Sequence, residues 1–343
     1  MGAAGDLRRP RAAFFGGQQL YGRASQVDYV YGPARRAQIA QLTELYPQEI
    51  HAGNLDRLGE LRDLEVIFGT WGMPALDAAA LDQLPELRAV FYAAGTVHSF
   101  ARPLLERGIV LTSAWAANAI PVAEFALAQI LLGCKGYFRN VRDYGERRLP
   151  AHDCYRGPGI YEVPVALIGA GQVARALIER LKPFQLQVLL VDPFLSPEEA
   201  QALGVRLVSL EEAFGQAFVV SNHLPNLPEL QGVIDRQLLA LLQPGAVLIN
   251  TGRGAQVVEQ DLIAVLQERP DLTALLDVTF PEPPDADSLL YTLPNVHLSS
   301  HIAGSLNNEV GRLADYAIEA FLQWRAGKTP RYAITQEMLA RLA

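Results

Sequence analysis

The stretch VALIGAGQVARALIERLKPFQLQVLLVDPF, residues 165–194, decides the fold of this chain. An apolar run leads into a glycine-rich turn, a helical pattern follows, and a second apolar run ends at Asp192. Strand, turn, helix and strand in this order predict a right-handed βαβ unit with parallel strands. The turn has the pattern GxGxxA, in which Gly169 permits a tight turn, Gly171 permits close approach of the backbone and Ala174 permits close helix packing.

The glycine-rich turn has two interpretations. Glycines can serve helix packing alone, so GxGxxA by itself is weak evidence for a ligand. In a dinucleotide site, the backbone N–H groups of Gln172 and Val173 would bind the pyrophosphate at the helix start. Asp192, about 20 residues after the turn, would accept hydrogen bonds from the ribose hydroxyls and repel a 2′-phosphate. Because strand, helix and acid are all present, we favour the nucleotide site, with NAD preferred to NADP.

Further strand-like runs follow this unit and precede it. After it come AFVVSNHLP, GAVLINTGRG, TALLDVTF and NVHLSSHIAG, so the series predicts six or so parallel strands. Before it, four short runs alternate with helical patterns and predict a second parallel α/β sheet. A long amphipathic helix from about Pro121 to Tyr144 lies between the two series, and we expect the C-terminal tail to pack on the first domain. The four early runs are RAAFFGG (11–17), EVIFGTWG (65–72), RAVFYAAGT (88–96) and GIVLTSA (108–114).

Composition narrows the classes of function. A chain of 343 residues that is 50% hydrophobic can bury the cores of two domains. Its net charge is −8, and the sequence contains no run of basic residues, which disfavours a nucleic-acid surface. Cys134 and Cys154 lack CxxC spacing and a nearby His pair, so we expect no structural metal, and a reducing cytoplasm fits. The apolar stretch VAEFALAQILLGC is about a third too short for a bilayer, and the N-terminal segment lacks a signal-like region, which predicts neither membrane insertion nor secretion.

Three titratable residues follow the ends of predicted strands. Arg253 lies in LINTGRG, Glu282 in LLDVTFPEPP and His301 in VHLSSHIAG. Open parallel sheets bind ligands at the carboxyl ends of their strands. Each residue also has an ordinary structural interpretation: an arginine at a helix terminus, a glutamate on a solvated loop, a histidine in a packed turn. Their combination favours a functional site.

These motifs together resemble the NAD-dependent, D-isomer-specific 2-hydroxyacid dehydrogenase family. The resemblance extends over most of the chain, in the order FYAAGT, ANAIPVAEFALAQIL, GAGQVA, VDPFLSPEEA, INTGRG, DVTFPEP and HIAG. It implies an α/β fold of two doubly wound parallel-sheet domains. Residues 1–118 with 303–343 would form a flavodoxin-like substrate domain, and residues 119–302 an inserted Rossmann domain that binds NAD. It also implies a homodimer that pairs through the helix near residues 121–134.

The resemblance assigns Arg253, Glu282 and His301 to the catalytic triad of this family. Arg253 would hold the substrate carboxylate with two charge-assisted hydrogen bonds, a geometry that lysine cannot match. His301 would donate a proton during reduction and accept one in the reverse reaction. Glu282 would stabilise the imidazolium. Formate-oxidising relatives carry glutamine in place of this glutamate, so Glu282 indicates a hydroxyacid substrate.

Other positions carry over from the family by resemblance. The backbone N–H groups of the FYAAGT loop would bind the substrate carboxylate, and two later loops would contact the two halves of the cofactor. Leu230 departs from the usual Thr or Asn, which removes a polar contact to the cofactor phosphates. Ser300 replaces the usual proline before the catalytic histidine, which removes a backbone restraint. The implied positions are Ala94, Gly95 and Thr96 for substrate, Leu224 and Pro225 for the adenosine half, and Thr251, Gly252 and Asp277 for the nicotinamide half.

The resulting hypothesis is an NAD-dependent oxidoreductase that interconverts a small 2-oxo acid and a D-2-hydroxy acid. One alternative is a non-catalytic NAD(H)-binding regulator on the same scaffold. Another is an α/β protein that binds a sugar or an apolar ligand without redox chemistry, which the glycine turn and Asp192 oppose. The sequence leaves the substrate open among glyoxylate, hydroxypyruvate, pyruvate and bulkier 2-oxo acids.

Overall fold

Alternating strands and helices build two parallel sheets in the computed structural model, which describes residues 8–18 and 25–339. The chain divides into two units, one made of residues 1–118 and 305–343 and the other of residues 119–304. The strands are β1 (Arg11–Phe15), β2 (Glu44–Leu45), β3 (Val66–Gly69), β4 (Ala89–Tyr92), β5 (Val110–Ser113), β6 (Pro164–Ile168), β7 (Gln187–Val191), β8 (Arg206–Leu207), β9 (Val219–Asn222), β10 (Val247–Asn250), β11 (Thr273–Leu276) and β12 (Val296–Leu298).

Helices cover both sheets, and short 3₁₀ turns connect several elements. The first helix contains Gly32 and Pro33, and the backbone leaves the helical region at Gly32. The helices are α1 (Gln26–Leu42), α2 (Ala78–Asp82), α3 (Ala101–Glu106), α4 (Trp115–Cys134), α5 (Tyr137–Val141), α6 (Gln172–Leu181), α7 (Pro197–Leu203), α8 (Leu210–Gln216), α9 (Arg236–Ala240), α10 (Glu259–Glu268), α11 (Val310–Arg325) and α12 (Gln336–Leu339).

The first unit contains a five-stranded parallel sheet in the order β2-β1-β3-β4-β5. This is the flavodoxin-like order. Ala12 and Phe14 belong to the buried cluster on one face of the sheet, and Ala13 and Phe15 belong to the cluster on the other. Successive residues of a strand point to opposite faces, so a strand buried on both sides is apolar throughout. The doubly wound fold predicted for this part of the chain is confirmed.

The C-terminal segment packs on the first unit, as expected. The backbone N–H of Ile334 donates to the carbonyl of Leu111 in β5 at 2.8 Å. Ile334 and Leu339 are buried in the same cluster as the core residues of β1 and β3. On the opposite face, α11 places Phe321 against Phe68. The tail therefore completes the core of this unit.

The second unit contains a seven-stranded parallel sheet in the order β12-β11-β10-β9-β6-β7-β8. The strand order reverses between β6 and β9, which is the topological switch point of a Rossmann sheet. The sequence predicted six or so strands, and the strand beyond that number is the two-residue edge strand β8. Val165 and Leu167 pack on one face while Ala166 and Ile168 pack on the other. The Rossmann architecture is confirmed.

Helix α4 differs from its prediction in both length and position. It runs from Trp115 to Cys134 rather than from residue 121 to 144. The backbone breaks at Gly136, where φ is +70° and an added Cβ would lie 2.5 Å from the backbone nitrogen of Gly157. Within the described residues, α4 is the one helix long and apolar enough to cross a membrane by length and composition, so the argument from its shortness was wrong. Half of the apolar stretch of α4 is buried, and Ala126 and Ile130 belong to a core cluster of the second unit.

Candidate active site

The predicted cofactor and triad residues of the second unit lie at one edge of its sheet. Each follows the carboxyl end of a parallel strand, where the fold places ligands. Gly169 and Gly171 follow β6, Asp192 follows β7, Leu224 and Pro225 follow β9, Thr251, Gly252 and Arg253 follow β10, Asp277 and Glu282 follow β11, and His301 follows β12.

The two glycines of the turn after β6 have different structural needs. Gly169 has φ +95°, and an added Cβ would lie 3.0 Å from the carbonyl oxygen of His223, so the protein itself requires glycine there. Gly171 has φ −66° and precedes α6, and an added Cβ would meet no protein atom within 4 Å. No side chain caps α6 at Gly171, which leaves the first N–H groups of the helix, including those of Gln172 and Val173, without an intrahelical acceptor. The open space and the N–H groups fit a bound pyrophosphate.

Asp192 lies directly beside this turn. Its Oδ2 accepts a hydrogen bond from the backbone N–H of Ala170 at 2.8 Å, and its Oδ1 accepts one from Phe194 at 2.9 Å. Each carboxylate oxygen can accept more than one hydrogen bond, so capacity for ribose hydroxyls remains. The structure thus shows that Asp192 holds the glycine turn in place.

Glu282 and His301 form a hydrogen-bonded pair. The Nδ1 atom of His301 lies 2.7 Å from Oε1 of Glu282, although the residues are 19 positions apart. The side chain of His301 is 49% exposed and that of Glu282 is 42% exposed, so the pair is accessible from solvent. Because Nδ1 faces the carboxylate, Nε2 is the ring atom left for proton exchange with a substrate. The carboxylate can also stabilise the protonated ring.

The loop that carries His301 is held by Asp277. The buried carboxylate of Asp277 accepts hydrogen bonds from the Ser299 hydroxyl at 2.6 Å and from the backbone N–H groups of Ile302 and Ala303 at 2.8 and 2.9 Å. The backbone N–H of His301 donates to the Asp277 carbonyl at 2.9 Å. These bonds restrain the loop that carries His301, although Ser300 stands where the family usually has a proline. Asp277 was predicted from the family as a nicotinamide contact, and its role in the loop carried no sequence signal.

Arg253 lies on a tightly packed loop after β10. Its Nη1 donates to the carbonyl of Gly252 at 2.7 Å. Burial lowers the pKa of the guanidinium, and the negative charge of Glu282 opposes that shift. An added Cβ at Gly254 would lie 1.9 Å from the carbonyl carbon of Thr279, so the arginine loop packs directly on the loop that leads to Glu282. Arg253 and the Glu282–His301 pair therefore belong to neighbouring loops of one sheet edge.

Four buried polar residues near this edge were missed by the sequence analysis. His223 follows β9, contacts the hydroxyl of Ser221 through Nε2 at 2.9 Å and lies 3.3 Å from the hydroxyl of Thr251. Burial lowers the pKa of His223 to about 4, so the imidazole is neutral at physiological pH. A polar residue that ends an apolar strand, as in VVSNH and VLINT, was the available signal. The other three residues are the amides Asn222, Asn250 and Gln256.

The predicted substrate loop lies in the first unit, directly after β4. The carbonyl oxygens of Ala94 and Gly95 accept hydrogen bonds from the Ser113 hydroxyl, and Ala94 also accepts one from the N–H of Ala114 at 3.0 Å. Thr96 is exposed. The carbonyl groups of the loop are thus bound within the unit, at the carboxyl edge of its sheet.

The parallel α/β fold and the residues that follow the carboxyl ends of its strands are those of a protein that binds a dinucleotide. The sequence profile described as "D-isomer specific 2-hydroxyacid dehydrogenase, NAD binding domain" matches residues 127–303. The chain belongs to the D-isomer specific 2-hydroxyacid dehydrogenase family, and its cofactor is NAD. The family and cofactor inferred from the sequence are confirmed.

Relatives of this chain carry several different names. It is 30% identical to D-3-phosphoglycerate dehydrogenase of Mycobacterium bovis over 242 residues, which cover 67% of this chain and 43% of the relative. It thus spans less than half the length of that protein. It is 28% identical to glyoxylate reductase of Korarchaeum cryptofilum over 269 residues, which cover 77% of this chain and 81% of the relative.

Solved structures share the fold along nearly the whole chain. A phosphoglycerate oxidoreductase from Rhizobium etli has a TM-score of 0.80 and 21% identity, covering 97% of this chain and 100% of that one. The apo form of Rhodotorula graminis D-mandelate dehydrogenase has a TM-score of 0.77 and 21% identity, covering 96% and 98%. At these identities the likeness concerns the fold alone.

Proposed function

We propose that this protein interconverts a 2-oxo acid and a D-2-hydroxy acid with NAD as the redox cofactor. The observation that carries the proposal is the 2.7 Å contact between His301 Nδ1 and Glu282 Oε1, at the same sheet edge as Arg253. A histidine paired with a carboxylate is suited to acid–base chemistry near neutral pH. A guanidinium is suited to binding a carboxylate through two parallel hydrogen bonds.

The residues divide the reaction between them. Bound NADH supplies the hydride for C2 of the 2-oxo acid. Arg253 orients the substrate through its carboxylate. His301 donates a proton from Nε2 to the substrate oxygen that becomes the hydroxyl, and it accepts that proton in the reverse direction. Glu282 keeps the ring oriented and favours its protonated form.

The cofactor contacts form the second part of the proposal. The helix start after Gly171 would hold the pyrophosphate, and Asp192 would bind the ribose and select NAD over NADP. Residues 119–302 would then act as the NAD-binding domain, and residues 1–118 with 303–343 as the substrate domain. Both cysteines are free and buried, which agrees with a reducing cytoplasm. The further contacts proposed are Gly169, Gln172, Val173, Leu224, Pro225, Thr251, Gly252 and Asp277.

A substrate panel tests this proposal. Oxidation of NADH and of NADPH is followed with glyoxylate, hydroxypyruvate, pyruvate and bulkier 2-oxo acids. We expect turnover of at least one acid, and higher kcat/KM with NADH than with NADPH. His301→Gln should lower kcat on the best substrate by about 10²- to 10⁴-fold and leave the Kd of NADH unchanged. NADH binding without turnover of any acid would instead favour the non-catalytic NAD(H)-binding regulator. Wild-type turnover in His301→Gln would show that His301 is not the proton donor.

A further inference from the structure

Three buried amide side chains lie beneath the Leu224–Pro225 loop and the Arg253 loop. Asn222 ends β9 and Asn250 ends β10, and the two are direct partners in the register of these parallel strands. Gln256 lies six positions after Asn250, in the 3₁₀ turn Gly254–Gln256. Their residues are 0%, 1% and 2% exposed. A buried amide is costly unless its hydrogen-bonding groups are satisfied, so their partners define what they do.

Gln256 has all of its hydrogen-bonding capacity filled. Its Oε1 accepts from Asn222 Nδ2 at 2.6 Å and from the backbone N–H of Arg253 at 3.1 Å. Its Nε2 donates to the carbonyl oxygens of Leu224 and Pro225 at 3.1 and 2.7 Å. An amide has two donors and two acceptor sites, so none is left over. Rotating the amide by 180° would set donor against donor and acceptor against acceptor, so its orientation is fixed.

The two asparagines extend this network into both loops. Asn222 donates to Asn250 Oδ1 at 3.0 Å and accepts from the backbone N–H of Leu224 at 3.2 Å. Asn250 donates to the carbonyl of Arg253 at 3.1 Å and accepts from Gly252 at 3.1 Å. An added Cβ at Gly252 would lie 2.8 Å from Gln256 Oε1, so glycine leaves room for the network. The backbone of Arg253 is therefore held at both its N–H and its carbonyl.

We propose that Gln256 is a positioning residue that fixes the Arg253 loop and the Leu224–Pro225 loop in one arrangement. This inference rests on the proposed function for the tasks of the two loops. One amide holds the backbone nitrogen of Arg253 on its oxygen side and two carbonyls of the cofactor loop on its nitrogen side. Ordering one loop therefore orders the other, and binding of NADH strengthens binding of the 2-oxo acid. By reciprocity, the 2-oxo acid strengthens binding of NADH by the same factor.

Gln256→Met is the first test, because methionine has a similar length and makes none of these hydrogen bonds. Gln260→Met is the matched control, since Gln260 is exposed and lies four residues further along the chain. NADH affinity is measured by fluorescence titration with and without oxamate, a non-reacting mimic of a 2-oxo acid. We expect Gln256→Met to raise the Kd of NADH about tenfold and to abolish the tightening caused by oxamate. The control should match wild type.

Gln256→Glu supplies a second test with a readout that general destabilisation would not produce. The carboxylate keeps the acceptor oxygen for Arg253 but turns its second oxygen toward the carbonyls of Leu224 and Pro225, which repel it. Protonation at low pH restores one donor. We expect NADH affinity of this variant to increase several-fold as the pH is lowered from 8 to 5.5, relative to the change in wild type.

The outcomes separate this inference from the proposed function. If wild type turns over no 2-oxo acid, the proposed function fails, while the NADH titrations of both variants still decide the role of Gln256 at the cofactor loop. Unchanged NADH affinity and unchanged oxamate coupling in Gln256→Met would overturn the inference, even if the enzyme is active. A flat pH profile in Gln256→Glu would do the same. Failure of both variants to fold would also overturn it, because Gln256 would then be a requirement for folding.

Discussion

His301 combines an unusual backbone with a specific partner. Its φ of +57° is rare for a residue with a side chain, and it directs the ring toward Glu282 on another loop. Such a conformation is maintained when surrounding bonds fix it, and Asp277 supplies them. The hydrogen bonds of Asp277 thus fix the backbone next to His301, and this backbone directs the ring toward Glu282.

Replacing Glu282 should slow the reaction without weakening cofactor binding. Glu282→Gln keeps the length of the side chain but removes the carboxylate that contacts Nδ1 of His301 and orients the ring. We expect kcat for the 2-oxo acid to fall about tenfold or more while the Kd of NADH stays unchanged, measured by steady-state kinetics and NADH titration. Glu198→Gln, an exposed residue of α7, is the control. A wild-type kcat in Glu282→Gln would mean that His301 works without a carboxylate partner.

His223 should make the protein less stable in mild acid. Burial lowers the pKa of His223 to about 4, compared with 6.5 for a free imidazole. Between these values the unfolded chain binds a proton that the folded chain does not, so the free energy of unfolding decreases as the pH falls. This contribution amounts to about 2 kcal/mol between pH 7 and pH 5.

The measurement is urea unfolding at both pH values. His223→Asn should lose that much less stability than wild type on acidification, whereas exposed His98→Asn should behave as wild type. Equal losses in wild type and His223→Asn would show that the imidazole is protonated in the folded protein.

Residues differ in how far the sequence reveals them. Arg253, Glu282 and His301 stand in short motifs after predicted strands, and their combination suggests a functional site. Gln256 and Asp277 do not reveal theirs, because their partners lie on other loops and are brought near only by the register of parallel strands. Side-chain pairing at long sequence separation is fixed by tertiary structure, which local patterns do not encode.

The elements show a similar contrast. Strands such as β3 and β6 were predicted because continuous apolar runs identify a strand buried on both faces. The edge strands β2 and β8 have two residues each and carry no periodic signal. Helix α4 ends early because the loop at Gly157 packs against Gly136, a contact between distant residues. Local patterns thus predict central elements better than edges and ends.

The turn between β6 and α6 should separate structural from functional glycines. Gly169→Ala forces a side chain into a positive φ and against the His223 carbonyl, so we expect a loss of about 1–3 kcal/mol in unfolding free energy. Gly171→Ala meets open space and an ordinary φ, so its stability should stay within about 0.5 kcal/mol of wild type. Its added methyl group should nevertheless weaken NADH binding about tenfold or more, because it lies where the pyrophosphate approaches.

Thermal or urea unfolding measures the stability of these two variants, and NADH titration measures their affinity for the cofactor. Each variant is the control for the other, since both add one methyl group to the same turn. If Gly171→Ala binds NADH as wild type does, the pyrophosphate does not approach at this point, and the glycine turn serves packing alone.

At the scale of the whole chain, the second unit is an insertion within the first. The chain leaves the first unit after residue 118 and returns at residue 305. The returning segment is not an appendage, because α11 and Ile334 supply buried residues to the core of the first unit. The first unit therefore cannot complete its core until the inserted unit has been synthesised.

Exposed apolar side chains at the end of α4 and just after it predict self-association. Four large apolar side chains between residues 132 and 144 are 40–63% exposed, along α4, α5 and the short π-helix Arg142–Glu146 that follows. They lie near one another in the chain, and clustered exposed apolar side chains typically mark an interface. Together with the family resemblance, this predicts a homodimer with two-fold symmetry. The four residues are Leu132, Tyr137, Val141 and Tyr144.

The molar mass in solution tests the dimer. Wild type should have twice the 37.5 kDa of one chain at micromolar concentration, measured by light scattering after gel filtration. Leu132→Glu with Val141→Glu should yield monomers, because a dimer would bury four carboxylates without partners. Leu241→Glu with Leu322→Glu alters two leucines that are each 42% exposed elsewhere on the chain, and it should remain dimeric. A monomeric wild type would rule out the dimer, and dissociation of both double variants would place the interface elsewhere.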